Sequence, residues 1–187
     1  MYDLEYYSKI RGSFDEFLDR RSSLIFEFEN GKINKRQFLE YNYDLVMRMN
    51  IRPFLRIDNF QMGMYNYQYY NVLAKYFTML AKEVKETRKR QRYYNYYLNK
   101  GNNYYQEKDK AALDLLNYLN FQGVEAYYIN LNSRRLDDSL YEIVLLNYKE
   151  AIFHSKSKWL LDILKDRGVF IKKKRTSLID EYINNKY

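Results

Sequence analysis

The chain has 187 residues, 47% of them apolar and 30% charged, with a formal net charge of +8 and no cysteine. Such a length suits one domain with a proper core, or a domain with a small appendage. A disulfide-stapled module, thiolate chemistry and cysteine metal ligands are excluded, and the 19% aromatic content argues against a disordered chain.

No apolar run approaches the roughly 20 residues that span a bilayer. The first residues, Met1, Tyr2, Asp3 and Leu4, carry neither the basic nor the apolar region of a signal peptide. A cytoplasmic location is therefore expected. The abundance of tyrosine, asparagine, lysine and isoleucine fits an AT-rich genome, and a bacterial source is expected. Such drift favours lysine more than arginine, so arginine clusters are the better pointers to anion contacts.

In chain order, Ser13, Phe14, Asp15 and Glu16 have the form of a capping box and predict a helix start. Phe14, Leu18, Ile25 and Phe28 form its stripe, and Asn30-Gly31 ends it. Asn34 and Gln37 offer a second capping box, followed by the stripe Phe38, Tyr41, Leu45 and Met49 and a stop at Pro53. The short link between the two helices predicts an antiparallel hairpin. Residues 51–65 read as irregular, with Arg48, Arg52 and Arg56 as separate solvent-facing arginines.

Tyr70, Leu73, Phe77, Leu80, Val84, Thr87, Gln91, Tyr94 and Leu98 then repeat at steps of three and four. That spacing predicts one helix on the order of 40 Å long. A break is expected at residues 100–103, around Gly101. A further helix is expected over 104–120, with Ala112, Leu115, Leu116 and Leu119 inward and Gln122-Gly123 closing it.

The period then changes to two. Tyr127, Ile129 and Leu131 alternate with Tyr128 and Asn130, and residues 140–146 form a second run of strand length. A polar hairpin loop joins them. Residues 150–153 read as a third strand after a turn at Asn147 or as the start of a helix reaching Arg167, and the strand is favoured. Residues 157–167 read as a helix with Trp159, Leu160, Ile163 and Leu164 inward and Gly168 as its cap; a short strand at 169–171 and a last helix from Ser177 follow.

The expected fold is α+β and predominantly α. An antiparallel helical hairpin and a long central helix precede a small C-terminal antiparallel sheet with packed helices. A helical region, 1–122, and an α+β region, 123–187, are expected to pack as one compact unit.

Recognisable chemistry is sparse. His154 is the one histidine, and it shares a face with Glu150. Zinc and most transition-metal sites need more His or Cys ligands, so no metal and no cofactor are expected. Ser155 and Lys158 match a Ser-x-x-Lys spacing without its companion motifs, and helix capping explains them. The six glycines are scattered singly, so neither a P-loop nor a dinucleotide fingerprint is present. Asp137-Asp138 stands beside Arg134-Arg135, an arrangement read as charge compensation within a loop.

The positive charge is concentrated. Residues 82–100 hold seven basic and two acidic side chains, and residues 165–175 hold six and one. Arg88, Lys89, Arg90 and Arg92 are followed by tyrosines that include Tyr93 and Tyr97. Lys172, Lys173, Lys174 and Arg175 form the second run. Arginine grips phosphate and tyrosine stacks on unpaired bases. These ten residues are the expected polyanion site of a non-catalytic binding module, with nucleic acid as the foremost partner. The alternatives are self-association or protein binding along the helix 70–98, and an enzyme built on Glu150, His154 and Asp137-Asp138.

Overall fold

The computed structural model describes residues 4–85, 91–130, 139–148 and 151–173. Among them are five helices and four strands, the expected α+β class with helix dominant. The chain divides into two compact units, Met1–Ala111 and Ala112–Tyr187.

Helix α1 (Leu4–Glu29) does not start at Ser13 but runs through it. Glu16 does not serve a capping box; it pairs forward with Arg20 at 2.8 Å. The inward step from Phe14 is to Phe17, which is 2% exposed, while the expected Leu18 faces solvent. After the turn at Gly31, whose φ is +68°, α2 (Lys35–Met49) begins on the expected capping box. Asn34 Oδ1 accepts from the Gln37 amide, and Gln37 Oε1 accepts from the Asn34 amide, both at 3.0 Å.

The buried stripe of α2 is Leu39, Asn42 and Val46, one residue out of phase with the expected one, and Tyr41 is exposed. The cause is a polar inward residue. Asn42 accepts from Arg21 Nη1 at 2.5 Å and donates to the Phe38 carbonyl at 2.7 Å, so it is satisfied inside. Burial in turn pulls the Arg21 guanidinium down to about 10.

The irregular stretch is shorter than expected. Helix α2 ends at Met49 on a left-handed Asn50, before Pro53 is reached, and α3 (Phe60–Lys85) begins where Asn59 Oδ1 accepts from the Met62 amide. Between them, Asn66 pairs with both backbone groups of Phe54 at 2.8 Å, and the Tyr65 hydroxyl donates to the Ile51 carbonyl at 2.7 Å. Phe14, Phe17, Val46, Met62, Tyr65 and Val72 form the buried cluster that this stretch caps.

The largest departure concerns the long helix. In one continuous helix Phe77 and Tyr97 would stand about 30 Å apart. Their rings are instead stacked at 6.3 Å, because α4 (Gln91–Tyr118) lies antiparallel against α3. Tyr70 meets Tyr104 and Tyr67 meets Lys108 in the same register. The expected break at Gly101 is absent. Gly101 lies within α4 where it crosses α3, and a Cβ there would meet Thr78 Oγ1 at 2.8 Å and the Thr78 amide nitrogen at 3.3 Å. The apolar repeat carried on in step because two packed helices both present an apolar face.

In the second unit, Ala112, Leu115, Leu116 and Leu119 are buried as expected. Strands β1 (Val124–Asn130), β2 (Ser139–Leu145) and β3 (Ala151–Ser155) pair antiparallel in sequence. Helix α5 (Lys158–Asp166) then carries the chain to β4 (Ile171–Lys173), which pairs parallel to β1. The order is β3-β2-β1-β4, a mixed sheet where an antiparallel one was expected. A helical crossover delivers its second strand parallel to the first, so β4 returns in the direction of β3 and β1. In α5, Leu161 is buried rather than Trp159, and Gly168 takes φ +77° after its last turn. The helix expected from Ser177 lies outside the described residues.

Register sorts the sheet into rows on alternate faces. Ile171, Ala126, Ile143 and Phe153 line up on one face. Tyr141 shares that face, and its hydroxyl is raised by burial, then by Tyr128 and by the charge of Asp162 on α5. Lys172, Tyr127, Glu142 and His154 line up on the opposite face.

Candidate functional site

The first turns of α4 carry what is described of the first basic run. Arg92, Tyr93 and Tyr96 are exposed, the two rings by more than half. Tyr97 is half-buried, because its ring stacks on Phe77. Lys100, one turn beyond Tyr96, lies with its Nζ 4.3 Å from the Phe77 ring centroid and 5.5 Å from that of Tyr96. It also donates to the Tyr96 hydroxyl at 3.4 Å. The face therefore alternates cation and ring: Arg92, Tyr96, Lys100, with Tyr93 and Tyr97 alongside.

Packing fixes that face from below. Phe77 on α3 touches Tyr43 and Tyr76 edge-on and stacks with Tyr97 and Tyr104. Tyr43 stacks on Tyr76 at 4.0 Å. These contacts hold three helices together and set the rotation of α4.

Charge on this face is not cancelled locally. Residues 87–106 contain no Asp or Glu, so no carboxylate stands three or four positions from Arg92 or Lys100. Neither cation makes an ion pair among the described residues. Arg88, Lys89 and Arg90 lie outside the described residues. Lys100 and Tyr96 were not among the expected site residues. Their signal was present as the four-residue spacing from Arg92, but it was obscured by reading residues 100–103 as a break.

The second basic run is described at Lys172 and Lys173; Lys174 and Arg175 lie outside. Lys172 is matched: its Nζ is 3.2 Å from Glu125 Oε1, and the Tyr127 hydroxyl donates to the other Glu125 oxygen. Lys173 is exposed. Arg92 belongs to the first compact unit and Lys172 and Lys173 to the second.

The Glu125 contacts make a pH prediction. The Tyr127 hydroxyl, and then Lys172, hold the Glu125 carboxyl below its usual range. A carboxyl lowered in the folded state stabilises above its unfolded pKa, and that contribution fades as pH falls through the folded value. In an NMR titration, Tyr127→Phe and Lys172→Ala are each expected to move Glu125 upward. An absent shift in either variant would contradict the assigned causes.

The enzyme alternative fares differently at each residue. His154 faces Glu142 across β2 and β3, with Nε2 3.2 Å from Glu142 Oε2. Glu142 is buried and His154 half-buried. The expected partner, Glu150, and the pair Asp137-Asp138 lie outside the described residues. Among the described residues no three His, Asp or Glu side chains gather as a metal site. No helix among them is long and apolar enough to cross a membrane.

The fold is thus an α+β protein with an aromatic and cationic helix face as its most distinctive surface. The chain belongs to a family of unknown function, DUF6648, whose profile matches residues 7–187. No curated protein and no solved structure matches the chain.

Proposed function

We propose that this protein binds single-stranded nucleic acid along the first turns of α4, as a non-catalytic module. The observation that carries the reading is the α4 face itself, where Arg92 and Lys100 stand among tyrosine rings without a carboxylate partner among the described residues. Cations of this kind neutralise phosphates, and exposed rings such as Tyr93 and Tyr96 accept unpaired bases by stacking. The sequence continues the charge at Arg88, Lys89 and Arg90. Another extended polyanion would use the cations but not the rings, and this separates the two. Self-association along 70–98 is the weaker reading, because Phe77 of that seam is spent on α4.

Fluorescence anisotropy with labelled single-stranded oligonucleotides tests the proposal. Binding is expected to weaken as salt rises, and Arg92→Ala with Lys100→Ala should reduce the logarithmic salt slope by roughly 1.4. Tyr93→Ala should weaken oligonucleotide binding by about 1–3 kcal/mol while leaving heparin binding unchanged. Absence of binding at low salt, or a double variant that binds as the parent does, overturns the assignment.

A further inference from the structure

A cleft of about 560 Å³ opens between α1 and α2, within the range of small-molecule sites. Its wall is mixed: Phe17 and Leu24 of α1 and Leu45 and Met49 of α2 form an apolar strip, and Ser13, Glu16 and Ser23 of α1 make the rest polar. Leu45 and Met49 also pack on the buried cluster around Phe14 and Phe17, so the cleft reaches toward the core of this unit.

Two arginines from different helices line the same cleft. Arg20 is held by Glu16 at 2.8 Å, which leaves its charge largely compensated. Arg48, on the last turn of α2, is exposed and has no ion pair or hydrogen bond among the described residues. A guanidinium with no ion pair among the described residues, one turn beyond Asp44 and beside an apolar strip, complements a molecule with an anionic head and an apolar body. Neither half alone would be specific: a bare anion gains nothing from Leu24 and Leu45, and a neutral hydrocarbon gains nothing from Arg48.

We infer that the α1–α2 cleft binds a small single-chain amphiphile with a carboxylate or phosphate head. The apolar chain lies along Phe17, Leu24, Leu45 and Met49, and the head takes the Arg48 guanidinium. Arginine serves either head because its planar fork matches two oxygens of a carboxylate or a phosphate. The inference is independent of the α4 face, since Arg92 and Lys100 do not line this cleft.

Calorimetric titration of the full chain tests it, with decanoate, decyl phosphate, inorganic phosphate and neutral decyl maltoside, each below its micelle concentration. Saturable binding of decanoate, decyl phosphate or both is expected, and which of them binds identifies the head. Inorganic phosphate and decyl maltoside should bind at least tenfold more weakly. Arg48→Glu should lose at least tenfold in affinity with only a small fall in melting temperature, because Arg48 is exposed on the last turn of α2 and the reversed charge stands one turn from Asp44. Leu24→Trp, which fills the trough, should weaken binding while Arg92→Ala with Lys100→Ala does not. Equal binding of the neutral and anionic amphiphiles, an unaffected Arg48→Glu variant, or no saturable binding overturns the inference.

Discussion

Phe153→Ala is expected to cost about 3–5 kcal/mol, the largest effect of any substitution considered. Phe153 is 1% exposed and stands opposite Ile143 in the row Ile171, Ala126, Ile143, Phe153. Ala126 gives that row a small side chain beside Ile143, so the row depends on its large members for volume. Removing the ring opens a cavity that the flanking backbone cannot close, because β2 and β3 are fixed by their ladder. The sheet order makes β3 an edge strand held on one side only, so lost packing is not offset by a second ladder. Ile152→Ala, one position away, is the control. Ile152 points to the opposite face and is 42% exposed, and its loss should cost about 1 kcal/mol or less. Urea unfolding of both variants checks this, with the midpoint falling and the slope unchanged for Phe153→Ala. Equal costs at the two positions would mean that the strand faces are assigned wrongly.

Gly101→Leu is expected to cost about 3 kcal/mol through overpacking of the α3–α4 crossing. A helix-interior glycine is normally a liability, and alanine there gains about 0.5–1 kcal/mol. At Gly12, where a Cβ would meet nothing within 4 Å, Gly12→Ala should show that gain. At Gly101 the sign reverses. The new Cβ would lie 2.8 Å from Thr78 Oγ1, 3.3 Å from the Thr78 nitrogen and 3.4 Å from the Ala74 carbonyl oxygen. Two of those atoms are backbone and cannot rotate away, so even Gly101→Ala should destabilise. Thr78→Ala should restore part of the loss in Gly101→Ala, since it removes the closest contact, and little of the loss in Gly101→Leu. Thermal unfolding of the two single alanine variants at Gly12 and Gly101 gives opposite shifts in Tm if the crossing is as described. Shifts of the same sign would show that Gly101 is not a contact glycine.

The α4 face bears on both stability and function. Lys100 lies over Phe77, the ring that joins α2, α3 and α4. Substituting Lys100 therefore removes a packed cation as well as a surface charge. For that reason the binding test uses Arg92, which makes no ion pair among the described residues, alongside Lys100. The comparison of Tyr93→Ala on oligonucleotide and on heparin separates stacking from simple charge.

Much of the local structure was legible before folding. The Asn34–Gln37 capping box forms both of its bonds, and Gly31 and Gly168 take the positive φ their positions required. The alternation after residue 123 gave strands, and Leu160 and Leu164 are buried as their spacing predicted. These signals work because capping, turn geometry and side-chain period act over four residues or fewer. Of the proposed face, the sequence pattern points to Arg92, Tyr93 and Tyr97, while the placing of Lys100 and Tyr96 beside them depends on α4 running on through Gly101.

What the sequence determined by itself was the α+β class, most helix and strand positions, and the clustering of positive charge. Tertiary structure alone decided that α4 folds back along α3, that Asn42 is an interior residue and that Gly101 is a crossing point. It also decided that β4 joins in parallel, that Lys172 answers to Glu125 and His154 to Glu142. Each of these depends on a partner at least a dozen positions away, 47 for Lys172 and Glu125. Periodicity says which side of a segment is apolar; only packing says which other segment that side meets.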